Sequence, residues 1–121
     1  MTIQPHLDAV FIHVSNVAAS LRWYADLLGI PAGDLSHEDL IGDLPVTGPT
    51  RIILDGHNHA FGQPADHSRP RVMFATGDIA AAIEHARAIG ADPTPVEDIG
   101  SAVVTYVSDP DGNRVCLIQR K

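Results

Sequence analysis

The sequence predicts an α+β domain assembled from two copies of one strand-and-helix module. Two observations carry that reading. First, Val14-Ser15-Asn16-Val17-Ala18-Ala19-Ser20-Leu21 matches Thr76-Gly77-Asp78-Ile79-Ala80-Ala81-Ala82-Ile83 in kind and in order. Second, each copy sets one apolar helical stripe, stopped by a glycine, among short β-branched runs. A length of 121 residues with 45% hydrophobic residues suits a small globular protein. Neither half alone is large enough to bury much surface, so the two modules are expected to form one domain over 1–121. Module one is expected at about 5–62 and module two at about 69–121.

Leu7 to Val14 is rich in β-branched and aromatic residues and reads as the first strand. Ser15 and Asn16 are helix caps, and Val17, Leu21, Tyr24 and Leu28 recur at helical spacing behind them. Gly29 closes that helix, with Pro31 just beyond. Ala32 to Thr50 carries turn signals at Pro45 and Gly48-Pro49, and Leu35 and Leu40-Ile41 fit only short strands. Arg51 to Asp55 is a strand, and Gly56 to Arg69 a polar connection. The pattern then restarts. Arg71 to Thr76 is a strand, and Asp78 caps a helix whose stripe is Ile79, Ala82, Ile83, Ala86 and Ile89. Gly90 ends that helix. Ser101 to Val107 and Val115 to Ile118 are strands joined by the turn Asp109-Pro110-Asp111-Gly112-Asn113.

Composition excludes several classes of function. Asp and Glu number 15 against 8 Lys and Arg, a net charge of −7, and the arginines are dispersed. A nucleic-acid binder needs a basic face, so no nucleic-acid partner is expected. Cys116 is alone, which rules out an intrachain disulfide and a Cys-based zinc site. No apolar run approaches the ~20 residues of a membrane span, and Met1 to Val14 lacks the pattern of a signal peptide. A cytoplasmic protein without membrane partners is the expectation.

Phe11 to Gly29 resembles the opening strand–helix motif of the vicinal-oxygen-chelate superfamily, which includes glyoxalase I, bleomycin-resistance proteins and extradiol dioxygenases. Val107 to Ile118 resembles its closing hairpin. Together with the repeat, the resemblance covers nearly the whole chain. It implies two βαβββ modules forming a curled mixed sheet around a cleft, the glyoxalase-like fold, and a homodimer. Metal-using members place His, Gln or Glu at four strand positions. Carried over residue by residue, these fall on Ala9, on Ile53 or Leu54, on Arg71, and on Cys116. Ala and an aliphatic residue offer no donor atom, Arg stays protonated, and one Cys does not make a site. No cofactor is therefore expected, and the Lewis acid of the family's enediolate or oxygen-activating chemistry is missing.

If Ala9 faces the cleft, strand alternation brings Phe11 and His13 with it, and Met73 with Arg71. The expected cleft, Ala9, Phe11, His13, Ile53, Arg71, Met73 and Cys116, is mostly apolar. It suits a small organic molecule with an anionic or carbonyl group. Arg71 is equally suited to an ion pair with one of the many carboxylates, and His13 to a structural role at a strand end. Trp23 and Tyr24 fit helix packing, and Cys116 a small buried hydrophobe. His57 and His59 form the weak alternative for a divalent metal; His67 lies nearby in sequence. The expected function is metal-independent small-molecule binding of the glyoxalase/bleomycin-resistance type. The alternatives are a glyoxalase-like lyase or dioxygenase-like enzyme with a non-standard site, and a structural or regulatory module. No residue is assigned a catalytic role.

Overall fold

The computed structural model describes residues 4, 5, 7–62 and 72–121. The chain divides into two compact units, Met1–Ala65 and Asp66–Lys121. Each contains one four-stranded mixed sheet, with two helices in unit one and one in unit two among the described residues, an α+β architecture.

Unit one runs β1 (Ala9–His13), α1 (Val17–Leu28), β2 (Leu35–Ser36), β3 (Ile41–Leu44), β4 (Arg51–Asp55) and α2 (His57–Ala60). Its sheet has the order β1-β4-β3-β2, with β1 parallel to β4 and the other pairs antiparallel. Strand β1 is shorter than its apolar run, because single bonds from Arg51 N–H to the Asp8 carbonyl and from Val14 N–H to the Asp55 carbonyl finish its ladder. Asn16 caps α1 by accepting from the Ala19 N–H at 3.0 Å. Gly29 ends the helix in the left-handed region, φ 66°, where a side chain would be strained.

Gly42 identifies the sheet face that receives α1. A Cβ there would stand 2.8 Å from Cγ1 of Val17 and 3.5 Å from Cδ2 of Leu21. Only glycine lets the helix seat this closely. Gly42 pairs with Leu54 and Leu44 with Ile52, and these pair in turn with Ile12 and Val10. All six therefore face α1; Ile12, Leu44, Ile52 and Leu54 form this unit's core with Val17, Leu21 and Tyr24, while Val10 at the strand's start is half-buried. Each large side chain so buried contributes about 1.5–3 kcal/mol.

Unit two runs β5 (Val72–Ala75), α3 (Ile79–Ala88), β6 (Glu97–Asp98), β7 (Ala102–Ser108) and β8 (Arg114–Arg120). The order β5-β8-β7-β6 repeats the pattern of unit one, with β5 parallel to β8 and the rest antiparallel. Asp78 stands where Asn16 stood and accepts from the Ala81 N–H at 3.1 Å. Gln119 of β8 adds a second cap, accepting from the Ile79 N–H at 2.8 Å. That bond places Gln119 on the α3 side, so Leu117 and Val115 lie there, and Arg114, Cys116 and Ile118 lie on the opposite side. The β7–β8 turn is held by Asp109, whose Oδ1 accepts from the N–H groups of Asp111 and Asn113.

Three elements differ from expectation. Helix α2 lies in the stretch expected as a polar connection, and β6 consists of two charged residues with no apolar signal. Strand β8 extends to Arg120 because Ala102 and Val103 pair with Arg120 and Gln119. Among the described residues no helix is long and apolar enough to cross a membrane.

Candidate ligand-binding faces

In each unit one sheet face is taken by a helix, so candidate chemistry lies on the other. In unit one that face carries Ala9, Phe11 and His13 from β1, beside Arg51, Ile53 and Asp55 of β4 in the same register. Phe11 is 52% exposed while its partner Ile53 is 8% exposed. Ala9 and His13 are half-buried. The register also separates the two candidates for the second carried-over position. Ile53 shares the row of Phe11, whereas Leu54 pairs with Ile12 on the α1 side and is fully buried. Arg51 reaches Asp43 at 2.8 Å across this face.

Asp55 is the polar centre of unit one. It neighbours His13 in the register, its Oδ1 accepts from the His57 backbone N–H at 2.9 Å, and it lies 2.6 Å from His57 Nδ1. Burial pushes its carboxyl up. The hydrogen bonds from the His57 backbone and ring, with the charges of His57 and His13, outweigh that and leave it below the ordinary carboxylate value. His57 and His59 sit on the single turn of α2 rather than on a strand or open loop. Residues two apart on a helix point to different sides. His57 turns to Asp55, and His59 is exposed. Among the described residues no three His, Cys, Asp or Glu side chains converge as metal ligands.

In unit two the face opposite α3 carries Met73, Cys116 and Tyr106 as one row across β5, β8 and β7. Met73 is 55% exposed, and Cys116 is buried with Ala102, Val104 and Ile118 in a cluster against which Tyr106 packs. The pair Met73–Cys116 is the repeat counterpart of Phe11–Ile53. Burial pushes the Cys116 thiol up, so the thiolate that would bind metal or attack an electrophile is disfavoured. The guanidinium of Arg114 lies over the Tyr106 ring, 4.5 Å from its centre. Arg71 and His67 lie outside the described residues.

The sequence reading does not single out Asp55, Tyr106 or Arg114, although signals exist for the first two. Asp55 continues the alternation from Ile53. Tyr106 and Cys116 lie equally far from Asp111 at the centre of the turn, so the hairpin alone pairs them. Trp23 and Tyr24 pack edge to face on α1, and Tyr24 is fully buried, as helix packing requires.

The sequence matches the glyoxalase-like domain family over residues 9–118. The chain belongs to the glyoxalase-like domain family. This places it in the vicinal-oxygen-chelate superfamily. Among curated proteins no sequence match was found. Solved structures share the fold along the full chain. TnmS3, an antibiotic-binding protein from a Streptomyces species, superposes with a TM-score of 0.77 at 21% identity, covering 100% of this chain and 99% of its own. A glyoxylase/bleomycin resistance protein/dioxygenase domain from a Frankia species gives 0.76 at 19% identity, with 98% and 94% covered. A lactoylglutathione lyase from Agrobacterium tumefaciens gives 0.75 at 12% identity, with 97% and 95% covered. Identities this low speak to fold alone, and the glyoxalase-like fold supports more than one chemistry.

Proposed function

We propose that this glyoxalase-like domain binds and sequesters a small organic molecule, without the divalent metal used by many of its relatives. The observation that carries the reading is the chemistry of the carried-over ligand positions. Ala9 and Ile53 share the unit-one sheet face opposite α1 and have only hydrocarbon side chains. Cys116 is a buried thiol, pushed toward its neutral form. The sequence adds an arginine at position 71. Such residue types do not suit a divalent cation, whereas exposed Phe11 in unit one and exposed Met73 in unit two each offer an apolar contact within their own unit. That TnmS3 is an antibiotic-binding protein of the same fold supports a binding role. We place the working form as a cytoplasmic homodimer, by likeness to small members of the superfamily.

The test has two parts. Protein purified without a histidine tag is dialysed and analysed for zinc, nickel, manganese and iron. The expected result is a content far below one metal per chain. A thermal-shift screen against aromatic and glycopeptide antibiotics is expected to give concentration-dependent stabilisation. Stoichiometric metal that survives dialysis, or a screen in which nothing stabilises the fold, overturns the reading. The first outcome returns the domain to a glyoxalase-like lyase or dioxygenase-like enzyme with an unconventional site. Light scattering at the mass of a single chain overturns the dimer.

A further inference from the structure

Arg114 is set apart from the other arginines. Among the described residues Arg22, Arg51, Arg87 and Arg120 are exposed, while Arg114 is half-buried. Arg51 is neutralised by Asp43, and Lys121 by Asp98. Among the described residues no carboxylate pairs with Arg114, despite a net charge of −7 for the chain. Its guanidinium instead rests over Tyr106, on the sheet face opposite α3, beside the Met73–Cys116–Tyr106 row. A guanidinium held over a ring by a cation–π contact keeps its N–H fork available to an acceptor at the edge of the contact. That geometry matches a carboxylate, which accepts two parallel bonds.

We propose that Arg114, held by Tyr106, is the anion-recognition point of unit two, and that it selects planar aromatic carboxylates. The proposal rests on the binding reading above and names its ligand class. The flat apolar body of the ligand lies against exposed Met73, whose thioether adapts to varied shapes and favours aromatic rings. The carboxylate takes the Arg114 fork. Tyr106 is a positioning residue that presents the guanidinium and limits its motion. The sequence offered Arg71 as the cation for an anionic group; the proposal adds Arg114 as a second one, placed over the Tyr106 ring.

The test compares 2-naphthoate with 2-naphthamide by isothermal titration calorimetry on the full chain. The two probes share shape and apolar area and differ in charge. A charge-assisted pair at a half-buried site predicts that the acid binds about 10- to 100-fold more tightly than the amide. Arg114→Gln is expected to bring that ratio close to one with little change for the amide. Arg114→Lys keeps the charge without the fork and is expected to retain only part of the preference. Arg120→Gln removes an exposed charge and is expected to leave the ratio intact. The wild-type comparison needs no variant, so a misfolded substitution does not block the test. Equal affinity for acid and amide, a ratio unmoved by Arg114→Gln, or no binding of either probe at millimolar concentration overturns the proposal. Stabilisation by uncharged ligands in the wider screen would still uphold the binding reading, so the two failures are distinguishable.

Discussion

Replacing Asp109 by alanine strips the β7–β8 turn of its organising acceptor. Asp109 is 5% exposed, as is Asn113. Its Oδ1 accepts from the N–H of Asp111 at 2.9 Å and of Asn113 at 2.8 Å, and its Oδ2 from Nδ2 of Asn113 at 2.7 Å. Alanine leaves the two Asn113 donors without this acceptor in a site that admits little water. Each buried donor left unsatisfied costs about 1–3 kcal/mol. The half-buried Asp111 N–H is freer to turn to solvent, so the two Asn113 donors set the total at about 2–6 kcal/mol. At this chain length that lowers the melting temperature by about 8–24 °C. Asp109→Asn keeps an oxygen for the two backbone groups but sets its amide against the Asn113 amide. It should cost less, about 1–2 kcal/mol. Urea and thermal unfolding followed by circular dichroism measure both. The reasoning fails if Asp109→Ala stays within about 0.5 kcal/mol of wild type, or if asparagine is as harmful as alanine. The turn matters beyond stability, because it fixes the register that sets Tyr106 beside Cys116 and Arg114 beside Ser108.

Asp55 predicts a pH dependence. Its folded value lies below the ordinary 3.8, so its stabilisation is complete above that value and is lost as pH falls through the folded one. Asp55→Asn should therefore be less stable than wild type at neutral pH, with the gap closing below about pH 4 in urea titrations. Leu54→Ala, at a fully buried position against α1, should cost about 2–5 kcal/mol. Phe11→Ser, on the other face and 52% exposed, should cost less than about 1 kcal/mol in the same denaturation assay. Cys116 should resist a thiol-specific reagent at neutral pH in the native protein and react fully in denaturant; rapid native labelling would contradict its burial.

Most of the fold was legible because its signals are local. Asn16 with Gly29 bounds α1, and Asp78 with Gly90 bounds α3 to within a residue, since caps and left-handed glycines act on a single turn. The β7–β8 turn is equally local. What escaped depends on partners. Strand β6 exists because Glu97 and Asp98 find Val104 and Val103, and nothing in a two-residue charged segment announces that. Helix α2 is a single turn whose first N–H is capped by Asp55, the strand residue before Gly56. For the candidate face, alternation places Ala9, Phe11 and His13 on one side of β1. Whether Ile53 or Leu54 joined them was a question of register between β1 and β4, which alternation within one strand does not answer. Tyr106 and Arg114 lie outside the carried-over ligand positions, and their contact depends on the β7–β8 register, which neither strand's own alternation contains.

The repeat shows where this scaffold is free to change. In both units the helix side of the sheet is bound by packing. Gly42 makes room for Val17, and Leu54 fills the space beside it; in unit two Gln119 bonds back to the start of α3. Those residues answer to the fold. On the opposite face the two units keep one arrangement, a buried residue on the central strand beside an exposed apolar residue on the parallel edge strand. Ile53 with Phe11 is matched by Cys116 with Met73. Around that shared pair the polar chemistry diverges. Unit one places His13, Asp55 and His57 together, groups that exchange protons. Unit two places Arg114 on Tyr106, a fixed cation. A duplicated module would keep such divergence only where side chains are not needed to hold helix on sheet. Substitutions on the helix side should therefore be read out as stability, and those at Arg114 as ligand preference at nearly constant stability.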